Sequence, residues 1–263
     1  MLQEKIIWIT GASSGIGRAL AIQLAKLGAK LVLSARNESE LMILKSELVN
    51  SERHLVLTFD LGVSNDMHDY VQTVLNNYQR IDFLYNCGGI SQRGEAIHTT
   101  MEVDRKIMEV NYFGTIALSK AVLQKMRSQQ SGHIVVISSI AGKFGFFQRS
   151  AYSASKHALH GFFESLYLEE KKNNIKVTIA CPGKIKTNIS LNALSANGDR
   201  HGQMDDNQNN GMSAEECASQ IINAVKRNKL EVYIGKKEIW AVYIKRLFPN
   251  LFWRIIEKQK STE

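Results

Sequence analysis

Three tyrosine–lysine pairs stand four residues apart in this chain: Tyr152 with Lys156, Tyr167 with Lys171, and Tyr233 with Lys237. On a helix that spacing puts both side chains on one face, about 5–6 Å apart at Cβ. A phenol beside an ammonium is a candidate catalytic acid with its activating cation. Spacing alone does not choose among the three pairs; context does. Tyr152 falls near a predicted helix start, just after the apolar run "HIVVIS" at 133–138 and its loop. Tyr167 lies fifteen residues further on, roughly 22 Å along the same helix. Its neighbours Glu169, Glu170, Lys171 and Lys172 describe a solvated face. Tyr233 belongs to a short predicted strand, where residues four apart are separated by over ~12 Å. Only Tyr152 and Lys156 are placed to meet a ligand at the strand ends.

A glycine cluster marks the other half of a candidate site. "TGASSGIG", residues 10–17, follows a predicted strand and opens a predicted helix. At that junction backbone N–H groups and the helix N-terminus face a pyrophosphate. Gly11 supplies the tight turn, Gly15 permits close approach, and Gly17 lets the helix pack on the sheet. Position between strand and helix raises a GxxxGxG spacing above an ordinary turn. The tip of the second strand reads "LSARN", with Arg36 after Ala35 and no acid. An NAD site places Asp or Glu there for the ribose 2′-OH, whereas a guanidinium suits a 2′-phosphate. Arg36 therefore predicts NADP.

The elements that position these residues are short apolar runs alternating with longer helical patterns, the signature of βαβ units. Predicted strands cover 5–10, 30–35, 54–59, 82–86, 133–138, 175–180 and 231–234. They are rich in Ile, Val and Leu without strict alternation, as strands covered on both faces should be. Ile16, Leu20, Leu24 and Leu27 recur at helical spacing until Gly28 stops them, and Asn37 with Glu40 is an Asn-headed variant of the capping box. The expected fold is α/β, a doubly wound parallel sheet of Rossmann type, with ligand at the carboxyl ends of the strands. Residues 188–213, including "SANGDRHGQMDDNQNNG", are long and polar for a connector and are expected to form a substrate loop.

Composition bounds the rest. With 263 residues, 44% hydrophobic and 22% charged, the chain reads as a globular protein, and two prolines without a Pro/Ser-rich linker favour a single domain over 1–263. Cys87, Cys181 and Cys217 are scattered, which suggests neither a disulfide framework nor zinc. No membrane-length apolar run or signal-peptide pattern is present, so a cytoplasmic protein is expected. Of the net charge of +8, Lys226–Glu263 carries ten Lys/Arg against four Asp/Glu, a net +6. No nucleic-acid reading module accompanies that patch, so no nucleic acid is expected. His157 and His160 lie one helical turn apart without a third ligand at a convincing spacing, so no metal is expected either.

Taken in order, "TGASSGIG", "FDL" at 59–61, "NCGG" at 86–89, "VNYFG" at 110–114, "VVISS" at 135–139, "YSASK" at 152–156 and "CPGKIKTN" at 181–188 resemble the short-chain dehydrogenase/reductase family. The resemblance spans nearly the full length. Within the family, "GISQRG", "RSAYSASKHA" and "HGQMD" resemble one subgroup. The resemblance implies an oxidoreductase that transfers hydride between NADP(H) and a carbonyl or secondary alcohol. Tyr152 would be the acid/base, its phenol lowered by the Lys156 ammonium and the oxidised nicotinamide. Lys156 would also hold the nicotinamide ribose, and Ser139 would hydrogen-bond the substrate oxygen, while Ser138 belongs to the strand. Asn111 would hold a water linking Lys156 to solvent. Ser13 and Ile16 would join Gly11, Gly15 and Gly17 around the cofactor. Asp60 would reach the adenine, Asn86 the adenosine ribose, and Pro182, Gly183, Ile185 and Thr187 the nicotinamide. Where the family has NNAG this chain has "NCGG", which puts the second Asn's support of the central strand in doubt; Cys87 reads as a small buried side chain. Expected partners are a small-molecule carbonyl or alcohol and further copies of the chain, as a homodimer or homotetramer.

The rival expectation is a dinucleotide-binding regulatory protein without turnover, which fold alone does not exclude; an intact Ser139, Tyr152 and Lys156 argues against it. Residues expected near the substrate are Ser91, Gln92, Arg93, Phe144 to Phe147 and Asn188 to Met204, a mixture that suits an apolar or lipid-like ketone with a polar group. Residues 236–258 form amphipathic C-terminal helices. Trp240, Tyr243, Ile244 and Leu247 follow i, i+3, i+4, i+7, and Phe248, Leu251, Phe252 and Ile255 repeat it around Pro249, with Lys245, Arg246, Arg254, Lys258 and Lys260 alongside. Two readings stay open: packing on the protein or a second subunit, favoured because Pro249 breaks the stretch, or peripheral contact with an anionic membrane.

Overall fold

The computed structural model describes residues 2–63, 67–205 and 209–259. Lys260 and residues 206–208 of the expected loop lie outside them. Seven strands form one parallel sheet: β1 (Ile6–Thr10), β2 (Lys30–Ser34), β3 (Leu55–Val56), β4 (Phe83–Asn86), β6 (Gly132–Ile137), β7 (Ile175–Pro182) and β9 (Glu231–Ile234). Their order is β3-β2-β1-β4-β6-β7-β9. The order reverses at β1, between β2 and β4, which opens a crevice beyond Thr10 and Asn86. A separate parallel pair joins β5 (Gln92–Arg93) to β8 (Leu194–Ser195).

All five residues of β1 are buried, and the Trp8 indole N–H donates to Ser34 Oγ at 2.9 Å. Such strands are covered on both faces, which explains their unbroken apolar runs. On one face Leu20 and Leu24 of α1 (Gly15–Lys26), Leu41 and Leu44 of α2 (Glu38–Glu47) and Ile221 of a helix at Ala214–Lys226 share a core with Ile7 and Ile9. On the other, Val71 and Val74 of α3 (Met67–Tyr78), Leu118 and Val122 of α5 (Gly114–Gln129) and Leu159 and Phe163 of α6 (Ser150–Glu170) pack on Trp8 and Leu84. A short α4 (Met101–Met108) precedes α5. The Asn37 side chain accepts Glu40 N–H at 3.2 Å, as the capping pattern predicts.

The predicted strand at 54–59 shortens to Leu55–Val56. Beyond it the chain has a partner on one side only, bonding through Leu57 N to Leu33 O at 3.0 Å and Phe59 N to Ala35 O at 3.3 Å. Tyr233 lies in β9 and Tyr167 near the far end of α6. The chain ends in helices Trp240–Leu247 and Pro249–Ile256, the second with Pro249 in its first turn, where a missing N–H costs nothing. Their residues Val242, Phe252 and Ile256 bury against Phe144. No helix among the described residues is long and apolar enough to cross a membrane.

Candidate active site

A cleft of about 970 Å³ opens at the carboxyl ends of β1, β4, β6 and β7. Gly11, Ser13, Gly15, Ile16 and Gly17 line one end. Gly11 has φ +62, and a Cβ there would lie 2.8 Å from Gly88 Cα, so the turn admits no side chain. At Gly17 a Cβ would meet Gly11 O at 2.3 Å, which fixes the close helix–turn packing. Arg36 and Asp60 line the same end, as expected. Arg36 is exposed and makes no hydrogen bond or ion pair with any described residue. Asp60 Oδ1 accepts Gly62 N–H at 2.8 Å. Glu38, which the sequence reading passed over, also lines this end.

Asn86 departs from expectation. It is buried and absent from the cleft lining, and its Nδ2 donates to Ser119 Oγ at 2.9 Å. The end of β4 turns this side chain toward α5. Cys87 also differs, being half-buried and part of the cleft wall. The surrounding protein pushes its thiol pKa up, so it stays protonated. Thr10 supplies the support in doubt at "NCGG", its Oγ1 accepting from Cys87 N and Gly88 N, each at 3.1 Å.

Ser139, Tyr152, Lys156, Pro182, Gly183, Ile185 and Thr187 line the other end. Ser139 caps a single turn of helix, accepting Ala141 N–H at 3.1 Å and donating to Pro182 O at 3.4 Å. Tyr152 sits in the first turn of α6, and Lys156 Nζ lies 5.7 Å from its ring centroid. Lys156 donates to Ile137 O at 2.9 Å, and burial lowers its pKa to about 8. Burial raises the Tyr152 phenol above its ordinary value, against a hydrogen bond with Ser139 and the charges of Arg93 and Arg149. Among the protein's own groups, desolvation outweighs the neighbouring charges at this phenol.

Asn111 occupies one π-helical turn, Glu109–Phe113, between α4 and α5. Its Oδ1 accepts Ile90 N–H at 2.8 Å, and its Nδ2 donates to Ile90 O at 2.9 Å and Ser155 Oγ at 3.0 Å. It does not line the cleft. A Cβ on Gly89 would lie 3.1 Å from Asn111 Oδ1 and 3.5 Å from Lys156 Nζ, so both side chains face one glycine-sized gap.

The residues expected at the substrate divide. Asn188, Ile189, Asn192, Leu194 and Arg200 line the cleft. Ser91, Gln92 and Arg93 are instead buried behind it, and Phe144 packs against Phe252 with the rings tilted by 59°. The pairing of β5 with β8 fills their surroundings and faces these side chains inward. Gln92 and Arg93 were expected at the substrate itself and instead sit behind it; Arg149 and Asp205 carried no expected role, and only the "RSAYSASKHA" and "HGQMD" likeness pointed to them. His157 and His160 do not converge. His160 hydrogen-bonds with Ser138 Oγ at 3.1 Å and lies with Cys181 and Glu231 in a group within 4.8 Å, whose carboxylate already pairs with Lys143.

The short chain dehydrogenase family model matches residues 5–197. Dehydrogenase/reductase SDR family member 7B of Mus musculus is 43% identical over 268 residues, covering 100% of this chain and 83% of that protein. A dehydrogenase/reductase SDR family protein 7-like of Anopheles gambiae is 43% identical over 265 residues, covering 98% and 84%. A short-chain dehydrogenase from Streptomyces avermitilis superposes with TM-score 0.81 at 27% identity, over 97% of this chain and 96% of that one. The fold is shared also with a short chain dehydrogenase/reductase from Burkholderia phymatum solved in complex with NAD, at TM-score 0.84, 22% identity and 95% of each chain.

Proposed function

The chain belongs to the short-chain dehydrogenase family and is an oxidoreductase, and we propose that it moves hydride between NADP(H) and a ketone or secondary alcohol. One observation carries the reading: Ser139, Tyr152 and Lys156 line one end of a cleft whose other end is the Gly11–Gly17 turn. The close backbone approach at Gly11 and Gly17, the cleft volume and the exposed Arg36 all fit a dinucleotide with a 2′-phosphate. Arg36 would hold that phosphate, Asp60 the adenine, Gly11, Ser13, Gly15, Ile16 and Gly17 the pyrophosphate, and Pro182, Gly183, Ile185 and Thr187 the nicotinamide. When bound, the nicotinamide supplies the hydride.

The protein's own residues do the proton chemistry. Ser139 orients the substrate oxygen. Tyr152 gives that oxygen a proton in reduction and takes it back in oxidation. Lys156, with its pKa at about 8, is mostly cationic at neutral pH and lowers the cost of phenolate. Asn111 and Lys156 flank the Gly89 gap, which suits a water-borne route for restoring the proton. A regulatory protein without turnover has no use for this set. Asn188, Ile189, Asn192, Leu194 and Arg200 give the substrate end mixed polarity, which suits an apolar ketone carrying a polar group. We place the enzyme in the cytoplasm as a homodimer or homotetramer, with its C-terminal helices as the surface for any peripheral membrane contact.

A panel of carbonyl substrates followed by NADPH absorbance tests the reading. Tyr152→Phe should abolish turnover and leave NADPH binding nearly intact, while Tyr167→Phe should change neither. Turnover that survives Tyr152→Phe would remove the tyrosine from the mechanism.

A further inference from the structure

Three stretches that lie far apart in the chain meet in one buried ion cluster beside Tyr152. Arg93 Nε donates to Asp205 Oδ1 and Oδ2, both at 3.1 Å, and its Nη2 donates to Oδ2 at 2.5 Å. Arg149 Nη2 donates to the same Oδ2 at 2.7 Å. The side chains are 3% (Arg93), 5% (Asp205) and 16% (Arg149) exposed, so solvent screens the group weakly. Two guanidiniums face one carboxylate, leaving a surplus positive charge.

The cluster joins the segment that lines the cleft to the start of the helix that carries Tyr152. Asp205 closes the segment whose residues Asn188, Ile189, Asn192, Leu194 and Arg200 line the cleft. Its backbone N–H donates to Ser190 Oγ at 3.3 Å, which ties the two ends of that segment together. The middle is held by the β5–β8 pairing and by Leu194 N donating to Ser91 O at 2.9 Å. Arg93 lies on β5 between these two attachments. Lys156 Nζ lies 5.7 Å from the Tyr152 ring centroid, Arg149 is the N-cap of the helix that carries both, and Gln92, next to Arg93 on β5, accepts the Tyr152 N–H at 3.4 Å. Asp205 binds both guanidiniums, whose charges favour phenolate.

We propose that Arg93, Asp205 and Arg149 are positioning residues that seat the 188–205 segment on the cleft and, through their two-to-one charge balance, set the acidity of Tyr152. The proposal rests on Tyr152 being the proton donor. The two guanidiniums favour phenolate and Asp205 moderates them. Removing the carboxylate therefore makes Tyr152 more acidic, and removing Arg149 makes it less acidic. General damage to the fold has no reason to move the two in opposite directions.

The test compares Asp205→Asn, Arg149→Gln and Arg149→Lys in the full chain. The first readout is the pH of the tyrosinate absorbance step that Tyr152→Phe removes, taken without substrate. The second is the pH profile of kcat/KM for alcohol oxidation. Asp205→Asn should move both midpoints down and Arg149→Gln up, each by about half a unit or more. Arg149→Lys, which keeps the charge, should stay near the parent. Asp205→Asn should also raise KM for the carbonyl by about tenfold through loss of the seated segment. Midpoints that do not move, or move the same way in Asp205→Asn and Arg149→Gln, overturn the proposal. If Asp205→Asn does not fold, Arg149→Gln against Arg149→Lys decides it. An enzyme that turns over no carbonyl would overturn the functional reading, and the absorbance step would still decide the role of the cluster.

Discussion

Gln92 Oε1 accepts the backbone N–H of Ala151 at 2.9 Å and that of Tyr152 at 3.4 Å. Helix α6, which carries Tyr152 and Lys156, has no side-chain cap from its own N-cap residue, Arg149. First-turn N–H groups need a partner when buried, and here a residue from β5 supplies it. Gln92 is itself fully buried and donates through Nε2 to Thr99 Oγ1 at 2.9 Å and Ser150 Oγ at 3.2 Å. Gln92→Ala should cost about 1–3 kcal/mol by urea unfolding, since it strands buried donors. It should also lower kcat more than it changes the Kd for NADPH, because Tyr152 loses its anchor and the glycine turn does not. An unaltered unfolding midpoint and kcat would mean that packing alone sets the helix start.

Arg36 and Glu38 line the same end of the cleft, and the proposed preference for NADP rests on the balance between them. Arg36 favours a 2′-phosphate, and Glu38 repels it. The parent should bind NADPH at least about tenfold tighter than NADH, since a charge-assisted pair contributes about 1.5–3 kcal/mol. Arg36→Ala should erase most of that preference, and Glu38→Gln should widen it. Fluorescence titration with both cofactors gives the ratios. Equal affinity in the parent would remove NADP from the reading.

The sheet and both ends of the cleft were legible because they rest on local signals. Buried parallel strands give unbroken apolar runs, and the glycine turn needs glycine wherever the backbone passes too close for a Cβ, as at Gly11 and Gly17. What escaped were long-range relations. Gln92 and Ala151 are 59 residues apart, and Arg93 and Asp205 are 112 apart, with no periodicity to connect either pair. The strands β5 and β8 have two residues each, too short for any alternation to show. The side-chain direction of Asn86 was hidden for a different reason. Its type suits a ribose contact equally well, and only the direction of its side chain at the end of β4 commits it to Ser119.

Buried histidines, His133 and His160 among them, should steepen the loss of stability in acid. Burial lowers His133 and His160 from 6.5 to about 4, so both are neutral in the fold at mildly acidic pH. The unfolded chain binds these protons first as pH falls below 6.5, and stability then declines until the folded values near 4 are reached. Each histidine can contribute up to ~3 kcal/mol of that loss. His133 also stacks on Phe83 and hydrogen-bonds Thr178 Oγ1 at 2.9 Å, so His133→Gln should lower stability at neutral pH while flattening the acid decline. Urea midpoints measured from 6.5 down to 4 check this. An equally steep decline in a His133→Gln, His160→Gln double variant would assign it to carboxylates instead.

The C-terminal helices are apolar on both sides. Val242, Phe252 and Ile256 pack on Phe144, as the packing reading expected. Trp240, Tyr243, Leu247, Phe248, Leu251, Trp253 and Ile255 are nonetheless exposed, Leu247 by 67% and Trp240 by 63%. Burial of one face thus leaves a second one uncovered, and a patch of this kind marks an interaction surface. Lys236, Lys237, Arg246, Arg254 and Lys258 are exposed around it. Cations beside aromatic and aliphatic side chains suit a surface of anionic lipid, where the rings enter the interface and the charges meet headgroups. The helices also adjoin the nicotinamide end of the cleft, because Glu238 Oε1 accepts Lys184 N–H at 2.9 Å just before Trp240. A lipid-borne ketone would then enter from the membrane side. The parent should sediment with phosphatidylcholine–phosphatidylserine vesicles at low salt, far less with phosphatidylcholine alone, and be released by high salt. Trp240→Ser combined with Leu247→Glu should abolish sedimentation without lowering kcat on a water-soluble ketone. A parent that stays in the supernatant at low salt, with a variant whose light scattering falls to a smaller species, would assign the patch to a second copy of the chain.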